Sequence, residues 1–386
     1  MGIMRCKGHS GRRWGLPLAV LAATAAVTGC HKHEEWEPLN TQKVYVSDRF
    51  YDVEILGPKE VLVVGYNGKL IHSADFGTTW DVVPSGSGNG LFSVSFAPDK
   101  KTGWIVGQGG TIQKTTDGGK TWTNQGGKIF MGDDCRAAGG DPDATDESDK
   151  CPLAPLFAIS VVDENNAYAV GDRSTLTVTH DGGKTWNTST LRPIVAPSDN
   201  LDPNAGIAFE DPVLYDVQFL NNQVGFVVGE FGKILRTTDG GATWHDKQAS
   251  LVGEQYFDIM ELPTFFDVDF RGENEGYVGG LEGRIARTTD GGETWAWLEH
   301  GVKEYDAPFY SVDLLPGGAV WGVGGSGQAI YSPVAGDLGK GALGTRVTNW
   351  IRDVEFYDDN VGWMVGGFGF IMNTTDGGKT WFRRIG

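Results

Sequence analysis

The octapeptide TTDGGKTW stands at residues 115–122 and again at 374–381. Close copies lie between them, THDGGKTW at 179–186, TTDGGATW at 237–244 and TTDGGETW at 288–295, with a looser SADFGTTW at 73–80. Its Asp carboxylate can accept backbone N–H bonds within a tight turn, and its glycines tolerate positive φ. Its Trp is a large apolar anchor that packs back onto neighbouring strands. We therefore interpret the octapeptide as a turn between two strands.

Six such sites distributed around one fold cannot converge on a single substrate, so we predict a structural role for them. The predicted turn carboxylates are Asp75, Asp117, Asp181, Asp239, Asp290 and Asp376. The predicted anchors are Trp80, Trp122, Trp186, Trp244, Trp295 and Trp381.

The octapeptide is one part of a longer repeat. A valine-glycine pair precedes each copy, at 64, 106, 170, 228, 278, 323 and 365, so the pairs recur every 42 to 64 residues. A strand-like segment such as LYDVQF (214–219) comes before each pair, again seven times. The copy at 323 lacks the octapeptide. Four short strands per repeat predict an all-β fold, a seven-bladed β-propeller with four-stranded blades. We label the strands of each blade A to D, with the octapeptide in the C–D turn.

The first residues resemble a secretory signal. A basic start and a short apolar run, 16–27, end in Val-Thr-Gly-Cys. This ending resembles a lipoprotein cleavage site, so we predict that Cys30 carries acyl chains and anchors an exported protein to a membrane. His31 follows the cysteine, which favours the periplasmic side of the outer membrane if the host has two membranes. The predicted divisions are a signal at 1–29, a linker with a possible closing strand at 30–48, and the propeller at 49–386.

The net charge of the chain restricts the classes of partner that it can bind. The whole chain has a net charge of −18, and removal of the four basic signal residues leaves 28 basic against 50 acidic residues. Such a surface disfavours binding to nucleic acid and to anionic lipid headgroups.

Cys135 and Cys151 bracket one insertion, and we predict a disulfide between them in an oxidising compartment.

The full repeat, as in LYDVQFLNNQVGFVVGEFGKILRTTDGGATW (214–244) and IRDVEFYDDNVGWMVGGFGFIMNTTDGGKTW (351–381), resembles the photosystem II stability/assembly factor family. Its octapeptide resembles the Asp-box, or BNR repeat. The resemblance implies a seven-bladed, lipid-anchored protein that is not an enzyme, has no cofactor and binds a membrane protein or complex during assembly. The family is expected to use a basic, arginine-containing surface. This chain differs, because only 12 arginines follow the signal region.

The alternative is an Asp-box glycoside hydrolase of the sialidase kind, or a carbohydrate-binding propeller. A sialidase needs an arginine triad, a Tyr nucleophile and an acid/base Asp, and usually has an early Arg-Ile-Pro. This chain has no Arg-Ile-Pro tripeptide, and sialidases have six blades.

The B–C turns, which follow each valine-glycine pair, should share one face with the D–A connections. We predict that this face binds a partner. The candidate residues are Tyr66, Asn67, Gln108, Asp172, Arg173, Glu230, Phe231, Leu281, Glu282 and Phe368, together with Arg352.

Two further features accompany this face. Strand A repeats an aromatic residue, for which we predict a place in the core between blades, and the seventh position is Arg352, which could face the channel. An acidic insertion at 133–149 is predicted to be a solvated loop, with Ca²⁺ binding as the alternative and no dedicated metal site. Its acids are Asp133, Asp134, Asp141, Asp143, Asp146, Glu147 and Asp149.

Overall fold

The computed structural model describes residues 43–126, 153–193, 211–253, 255–298, 307–333 and 348–384. These residues form seven antiparallel sheets, in each of which neighbouring strands follow one another along the chain. The seven-bladed β-propeller predicted from the repeat is confirmed. No helix in the described ranges is both long and apolar enough to cross a membrane.

The strand bounds follow the predicted repeat. Blade 1 has β1 (Phe50–Gly57), β2 (Glu60–Gly65), β3 (Leu70–Ser73) and β4 (Asp81–Val82), and blade 2 has β5 (Leu91–Phe96), β6 (Gly103–Gly107), β7 (Thr111–Thr115) and β8 (Thr123–Asn124). Blade 3 has β9 (Leu156–Val161), β10 (Ala167–Gly171), β11 (Thr175–Thr179) and β12 (Asn187–Thr190), and blade 4 has β13 (Leu214–Phe219), β14 (Gly225–Gly229), β15 (Ile234–Thr237) and β16 (His245–Asp246).

Blade 5 has β17 (Phe265–Arg271), β18 (Glu275–Gly280), β19 (Ile285–Thr288) and β20 (Ala296–Trp297). Blade 6 has β21 (Phe309–Leu314), β22 (Val320–Gly324) and β23 (Ala329–Ser332), and blade 7 has β24 (Ile351–Phe356), β25 (Gly362–Gly366), β26 (Phe370–Thr374) and β27 (Phe382–Arg383). Blade 6, which lacks the octapeptide, shows three strands within the described residues.

The repeated valine-glycine pair has a steric cause. The glycine ends strand B beside the residue that precedes strand A, and a Cβ there would collide with that residue's carbonyl oxygen. In blade 2, for example, a side chain on Gly107 would meet the carbonyl of Gly90. The close approach lets the amide of Gln108 donate to the same Gly90 carbonyl at 2.9 Å, so the hairpin is fixed where strand A begins.

Each Asp-box lies in the C–D turn of its blade, and its hydrogen bonds repeat. In blade 4, Asp239 accepts from the backbone N–H of Thr243 at 2.9 Å through Oδ1 and from the Thr243 hydroxyl through Oδ2 at 2.5 Å. The Thr237 hydroxyl donates to Asp239 at 2.8 Å and accepts from the N–H of Gly241 at 3.0 Å. The polar groups of the turn are therefore hydrogen-bonded within the turn itself. The spacing of Thr, Asp and Thr in the octapeptide makes these hydrogen bonds possible.

The Asp-box Trp packs at the seam between two blades. Trp244 meets the Phe219 ring edge-on at 5.8 Å, and Phe219 stacks on Tyr168 of the preceding blade at 3.6 Å. Trp295 repeats this arrangement against Phe270 at 5.8 Å. Where a blade has the octapeptide, its Trp therefore packs at the seam with the preceding blade, and its Asp closes the C–D turn.

Among the described residues, blades 7 and 1 each consist of four consecutive strands. Blade 7 keeps β27 as its own strand D, and Arg49 forms a bridge with Gly367. The segment that leads into β1 lies across the B–C turns of these blades, where the amide of Gly369 donates to the carbonyl of Asp48 at 2.9 Å. A closing strand around Trp36 lies outside the described residues and stays a prediction.

Replacement of Trp244 by Ala should lower the free energy of unfolding by about 3–5 kcal/mol, because the ring is buried at the seam between blades 3 and 4. Chemical denaturation of the mature domain measures this change. Phe382→Ala is the control, since half of that side chain is already exposed and the expected change is within about 0.5 kcal/mol. Equal destabilisation by both variants would contradict the seam role.

Candidate partner-binding face

The strand A aromatics form a ring around one end of the propeller axis. Each side chain is half-buried and contacts the equivalent side chain of the next blade. The ring-centroid distances are 5.4 Å for Tyr51–Phe92, 5.6 Å for Phe92–Phe157, 5.6 Å for Phe157–Tyr215, 5.0 Å for Tyr215–Phe266 and 5.5 Å for Phe266–Tyr310. The prediction of a buried core position is wrong in part, because these rings link blades yet keep an exposed edge. A β-bulge at the start of strand A turns them towards the axis.

Arg352 takes the seventh place in this ring. Its guanidinium lies 5.4 Å from the centre of the Tyr310 ring and donates to the Tyr310 carbonyl at 3.2 Å. On the other side of this position, Tyr51 stacks on Trp350 at 6.1 Å. We call these six aromatics and Arg352 the annulus. A cation is attracted to the face of an aromatic ring, so Arg352 interacts favourably with Tyr310 although it is not aromatic.

Below the annulus, side chains of strand A bind the backbone of the next blade. Asp52 accepts from the N–H of Val94 at 2.7 Å, and Asp216 accepts from the N–H of Val268 at 3.0 Å. The same kind of hydrogen bond joins blade 7 to blade 1, where Asp353 accepts from the N–H of Val53 at 2.9 Å. Strand A is the inner edge of each sheet, so these side chains satisfy N–H groups that no strand pairs. Sequence analysis missed this role of the polar positions in strand A.

The consequence is a confined cluster of eight carboxylates. Its members are Asp52, Glu54, Asp216, Asp267, Asp269, Asp313, Asp353 and Glu355. Burial raises the pKa of Asp269 to about 6. Burial, followed by the charge of Asp269, also raises the pKa of Asp313 well above its usual range. Lys100 supplies a counter-charge through its ion pair with Glu54 at 2.6 Å.

The predicted partner-binding residues lie in the B–C turns, which the strand register places at the same end as the annulus. We call this end, with the B–C turns and the D–A connections, the B–C face. The middle residue of every B–C turn has positive φ. These residues are Asn67 (56°), Gly109 (65°), Arg173 (49°), Phe231 (56°), Glu282 (56°), Ser326 (54°) and Phe368 (60°). Glycine suits this conformation, yet two of the seven positions carry Phe, for which it is strained.

The same turns expose apolar side chains. The exposed fraction is 46% for Tyr66, 39% for Phe231, 39% for Leu281 and 55% for Phe368. Tyr66 is supported by the guanidinium of Arg49 at 5.8 Å from its ring centre. Gln108 and Asp172 instead bind neighbouring backbone, accepting from the amides of Gly90 and Arg173 respectively. Apolar tips around a half-open aromatic annulus are typical of a contact surface.

The connection between blades 4 and 5 adds residues that sequence analysis missed. Phe257 is 80% exposed, and Met260 is 41% exposed. This connection has no repeat counterpart, so periodicity gave no signal for it. The Pro-flanked segment ELPTF (261–265) marks where it rejoins the blade.

A separate cavity of about 400 Å³ lies on the outer side between blades 3 and 4. Its lining includes Asn166, Tyr168, His180 and Asn222, a polar and aromatic set that a sugar could use. The Tyr168 ring, however, is 1% exposed and is covered by Phe219. The Tyr168 ring is therefore not open to stacking, and the cavity gives little support to carbohydrate binding.

Several predicted features fall outside the described residues. They are Cys30, the pair Cys135 and Cys151, and the acidic insertion 133–149. Among the residues that the structure does describe, no group of three or more His, Cys, Asp or Glu side chains is arranged to hold a metal ion.

Comparison with known proteins supports the repeat and the fold. A family model described as "Photosynthesis system II assembly factor YCF48" matches residues 29–129 and 203–262. The Photosystem II assembly lipoprotein Ycf48 of Picosynechococcus sp. (strain ATCC 27264 / PCC 7002 / PR-6) is 26% identical over 331 residues, which cover 76% of this chain and 86% of the relative. The chain is an Asp-box propeller that is similar in sequence to photosystem II assembly factors.

A second relative is 30% identical over 167 residues. It is the Photosystem II assembly lipoprotein Ycf48 of Synechococcus sp. (strain CC9902), and the match covers 43% of this chain and about half, 47%, of the relative. A solved structure titled "YCF48 bound to D1 peptide" has a TM-score of 0.60 and 18% identity, and it covers 85% of this chain and 94% of that one. At 18% identity, the structural match shows a shared fold and nothing further.

The carboxylate cluster should make stability depend on pH. A folded-state pKa of about 6 for Asp269 exceeds the unfolded value, so its contribution is fully present below pH about 4 and is lost as pH rises through about 6. Asp313→Asn should raise the melting temperature by several degrees at pH 8 and change it little at pH 4. Its Oδ2 is buried without a hydrogen-bond partner, so a neutral amide removes repulsion there without breaking a bond.

The control is Asp376→Asn in the last Asp-box. The Thr380 hydroxyl and amide lower the pKa of Asp376, so loss of this carboxylate should lower the melting temperature at pH 8. Thermal unfolding at both pH values compares the variants, and a fall in melting temperature for Asp313→Asn at pH 8 would show that the cluster is not under charge repulsion.

Proposed function

We propose that this chain is a non-catalytic assembly factor that binds a membrane protein or protein complex through its B–C face. The supporting observation is the concentration of exposed apolar tips on strained turns around the annulus. Two of these tips, Phe231 and Phe368, occupy positive φ where glycine would relieve the strain. Exposed apolar side chains grouped on the turns of a rigid scaffold are typical of a contact surface, and relatives named as assembly factors support this function.

We propose that acylated Cys30 anchors the exported protein to a membrane. Relatives are named lipoproteins, which supports the anchor. The chain enters the propeller on the B–C face, where Lys69 donates to the carbonyl of Lys43 at 2.6 Å and pairs with Asp48 at 3.1 Å. The extended chain from position 30 to position 43 spans at most about 45 Å. The anchor would therefore keep the B–C face within reach of a membrane-embedded client.

The anchor is tested by Cys30→Ser, which should release the protein from the membrane fraction into the soluble fraction. Quantitative immunoblotting of the two fractions measures the change. A variant at Cys6, which lies within the predicted signal, is the matched control, since it should leave the distribution as it is in the wild type. Retention of the Cys30→Ser protein on the membrane would contradict acylation as the attachment.

The binding face is tested by affinity capture from cross-linked native membranes. Phe231→Asp combined with Phe368→Asp should reduce recovery of the client about tenfold or more, because each change puts a charge on an apolar contact. Tyr357→Asp is the matched control. That side chain is 46% exposed and follows strand A at the opposite end of blade 7. Equal loss with the control would move the binding site away from the B–C face.

The glycosidase alternative predicts turnover. We expect the purified mature domain to release no chromophore from aryl glycosides above the rate of an Asp269→Asn variant at pH 6. Asp269 is the comparison because its raised pKa makes it the carboxyl group best suited to act as an acid near neutral pH. Turnover at an enzymatic rate that is lost in the variant would replace the binding function with a catalytic one.

A further inference from the structure

We propose that the B–C face carries a docking patch, where blades 4 and 5 meet, for a protein segment that combines apolar residues with Lys or Arg. This inference rests on the proposed function and names the chemistry of the client segment. The docking patch consists of Phe231, Phe257, Met260 and Leu281 with four acidic neighbours. The acidic neighbours are Glu230, Asp258, Glu261 and Glu282.

The apolar members of the docking patch are exposed in a molecule that buries similar side chains nearby. Phe257 is 80% exposed, whereas Tyr256 beside it is 6% exposed and Leu262 is 3% exposed. The connection thus has access to the core and uses it for two of its side chains. Because Phe257 and Met260 point outward from the same short segment, burial against a partner is the remaining way to remove them from water.

The patch is held by both neighbouring blades. Leu262 packs against Gly232 of the blade 4 turn so closely that a side chain there would collide with it. The Tyr256 hydroxyl donates to Glu282 of the blade 5 turn at 2.8 Å. Within the connection, Asp258 accepts from the amide of Met260 at 2.9 Å, and Glu261 accepts from the amide of Phe257 at 2.9 Å. The exposed side chains therefore stand on an ordered platform, which lowers the entropic cost of binding.

The charges around the patch are unbalanced. Among the described residues, none of the four acidic neighbours forms an ion pair with Lys or Arg. Lys233 pairs with Asp246 at 2.9 Å. The guanidinium of Arg284 lies 5.8 Å from the centres of the Tyr256 and Trp297 rings. It also acts on the Tyr256 hydroxyl that donates to Glu282, so Glu282 has a cation nearby. The acidic neighbours bind only N–H and O–H groups of their own surroundings. A Lys or Arg of a partner would meet Glu230, Asp258 and Glu261, which form no ion pair with a described Lys or Arg.

The exposed apolar side chains and the acidic neighbours of the docking patch together favour one class of partner. An apolar segment flanked by Lys or Arg gains both burial and charge complementarity, whereas an acidic segment is repelled. An anionic membrane surface is repelled for the same reason, so the apolar side chains do not serve as a lipid-insertion site. A membrane protein client presents the required chemistry where an apolar span is followed by basic flanking residues.

Site-specific photocross-linking tests the inference in the full-length, membrane-anchored protein. A photoreactive amino acid replaces Phe257 in one protein, Phe368 in a second and Tyr357 in a third. The cross-linked peptides are then identified by mass spectrometry. We expect the position 257 probe to capture a client peptide that is apolar and has net positive charge, and we expect position 357, on the opposite face, to capture none.

The other outcomes separate this inference from the proposed function. Capture of an acidic or uncharged polar peptide at position 257 overturns the chemistry and leaves the assembly function standing. Capture at position 368 without capture at 257 overturns the docking patch but keeps the B–C face. Absence of a client at both 257 and 368 overturns the proposed function together with the patch.

Affinity for a synthetic amphipathic Leu/Lys peptide gives a second readout that does not require the native client. Phe257→Ser with Met260→Ser should weaken binding about tenfold or more, because two apolar side chains are lost from the contact. Tyr357→Ser should leave binding unchanged. A Leu/Glu peptide of the same pattern should not bind measurably.

The charge contribution is isolated by replacing Glu230, Glu261 and Glu282 with Gln, whose side-chain oxygens can still accept the native hydrogen bonds. These changes should weaken binding of the Leu/Lys peptide and reduce its dependence on salt. Circular dichroism verifies that each variant is folded. Unchanged affinity in the folded Phe257→Ser/Met260→Ser protein, or unchanged salt dependence in the Gln variant, contradicts the docking patch.

Discussion

The inner edge of each sheet must find acceptors for its amide N–H groups, and the rest of the propeller depends on how it does so. Strand A has a sheet partner on one side only, so its other edge faces the next blade. Acceptors come from polar side chains at two positions of the preceding strand A, as in the bonds from Val94 to Asp52 and from Phe270 to Gln218. The same device joins blade 7 to blade 1 through Asp353 and Glu355. Blades 7 and 1 are therefore joined by the same hydrogen bonds as the other blades.

This solution brings many carboxylates into one confined space. Asp and Glu make strong acceptors for N–H groups, yet as anions close together they repel each other, and burial raises the pKa of several of them. The Asp-box carboxylates show the opposite behaviour. They lie on the exposed rim and bind hydroxyl and amide groups of their own turn, which lowers the pKa of Asp181 to about 2. One residue type thus serves two structural purposes with opposite dependence on pH.

The annulus and the B–C face follow from the same geometry. Because strand A begins where strand B ends, the annulus, the B–C turns and the D–A connections all lie at one end of the propeller. The repeat predicted the strands closely, and it also predicted that the B–C turns would share one face with the D–A connections. It gave the wrong environment for the strand A aromatics, since a pattern of alternating residues does not reveal the bulge that turns them towards the axis. It missed Phe257 and Met260, because a segment without a repeat counterpart has no periodic signal.

The sequence by itself determined the seven-bladed architecture, because turn chemistry and strand alternation are local properties that recur in every copy. It also determined where the blades begin and end, since only glycine fits beside the carbonyl that precedes each strand A. The tertiary structure alone decided which side chains of different blades meet. Asp353 accepts a hydrogen bond from the N–H of Val53, which lies 300 residues away in the chain. The platform under Phe257 requires contacts from two blades at once. Such contacts depend on the closure of the ring, which no single repeat contains.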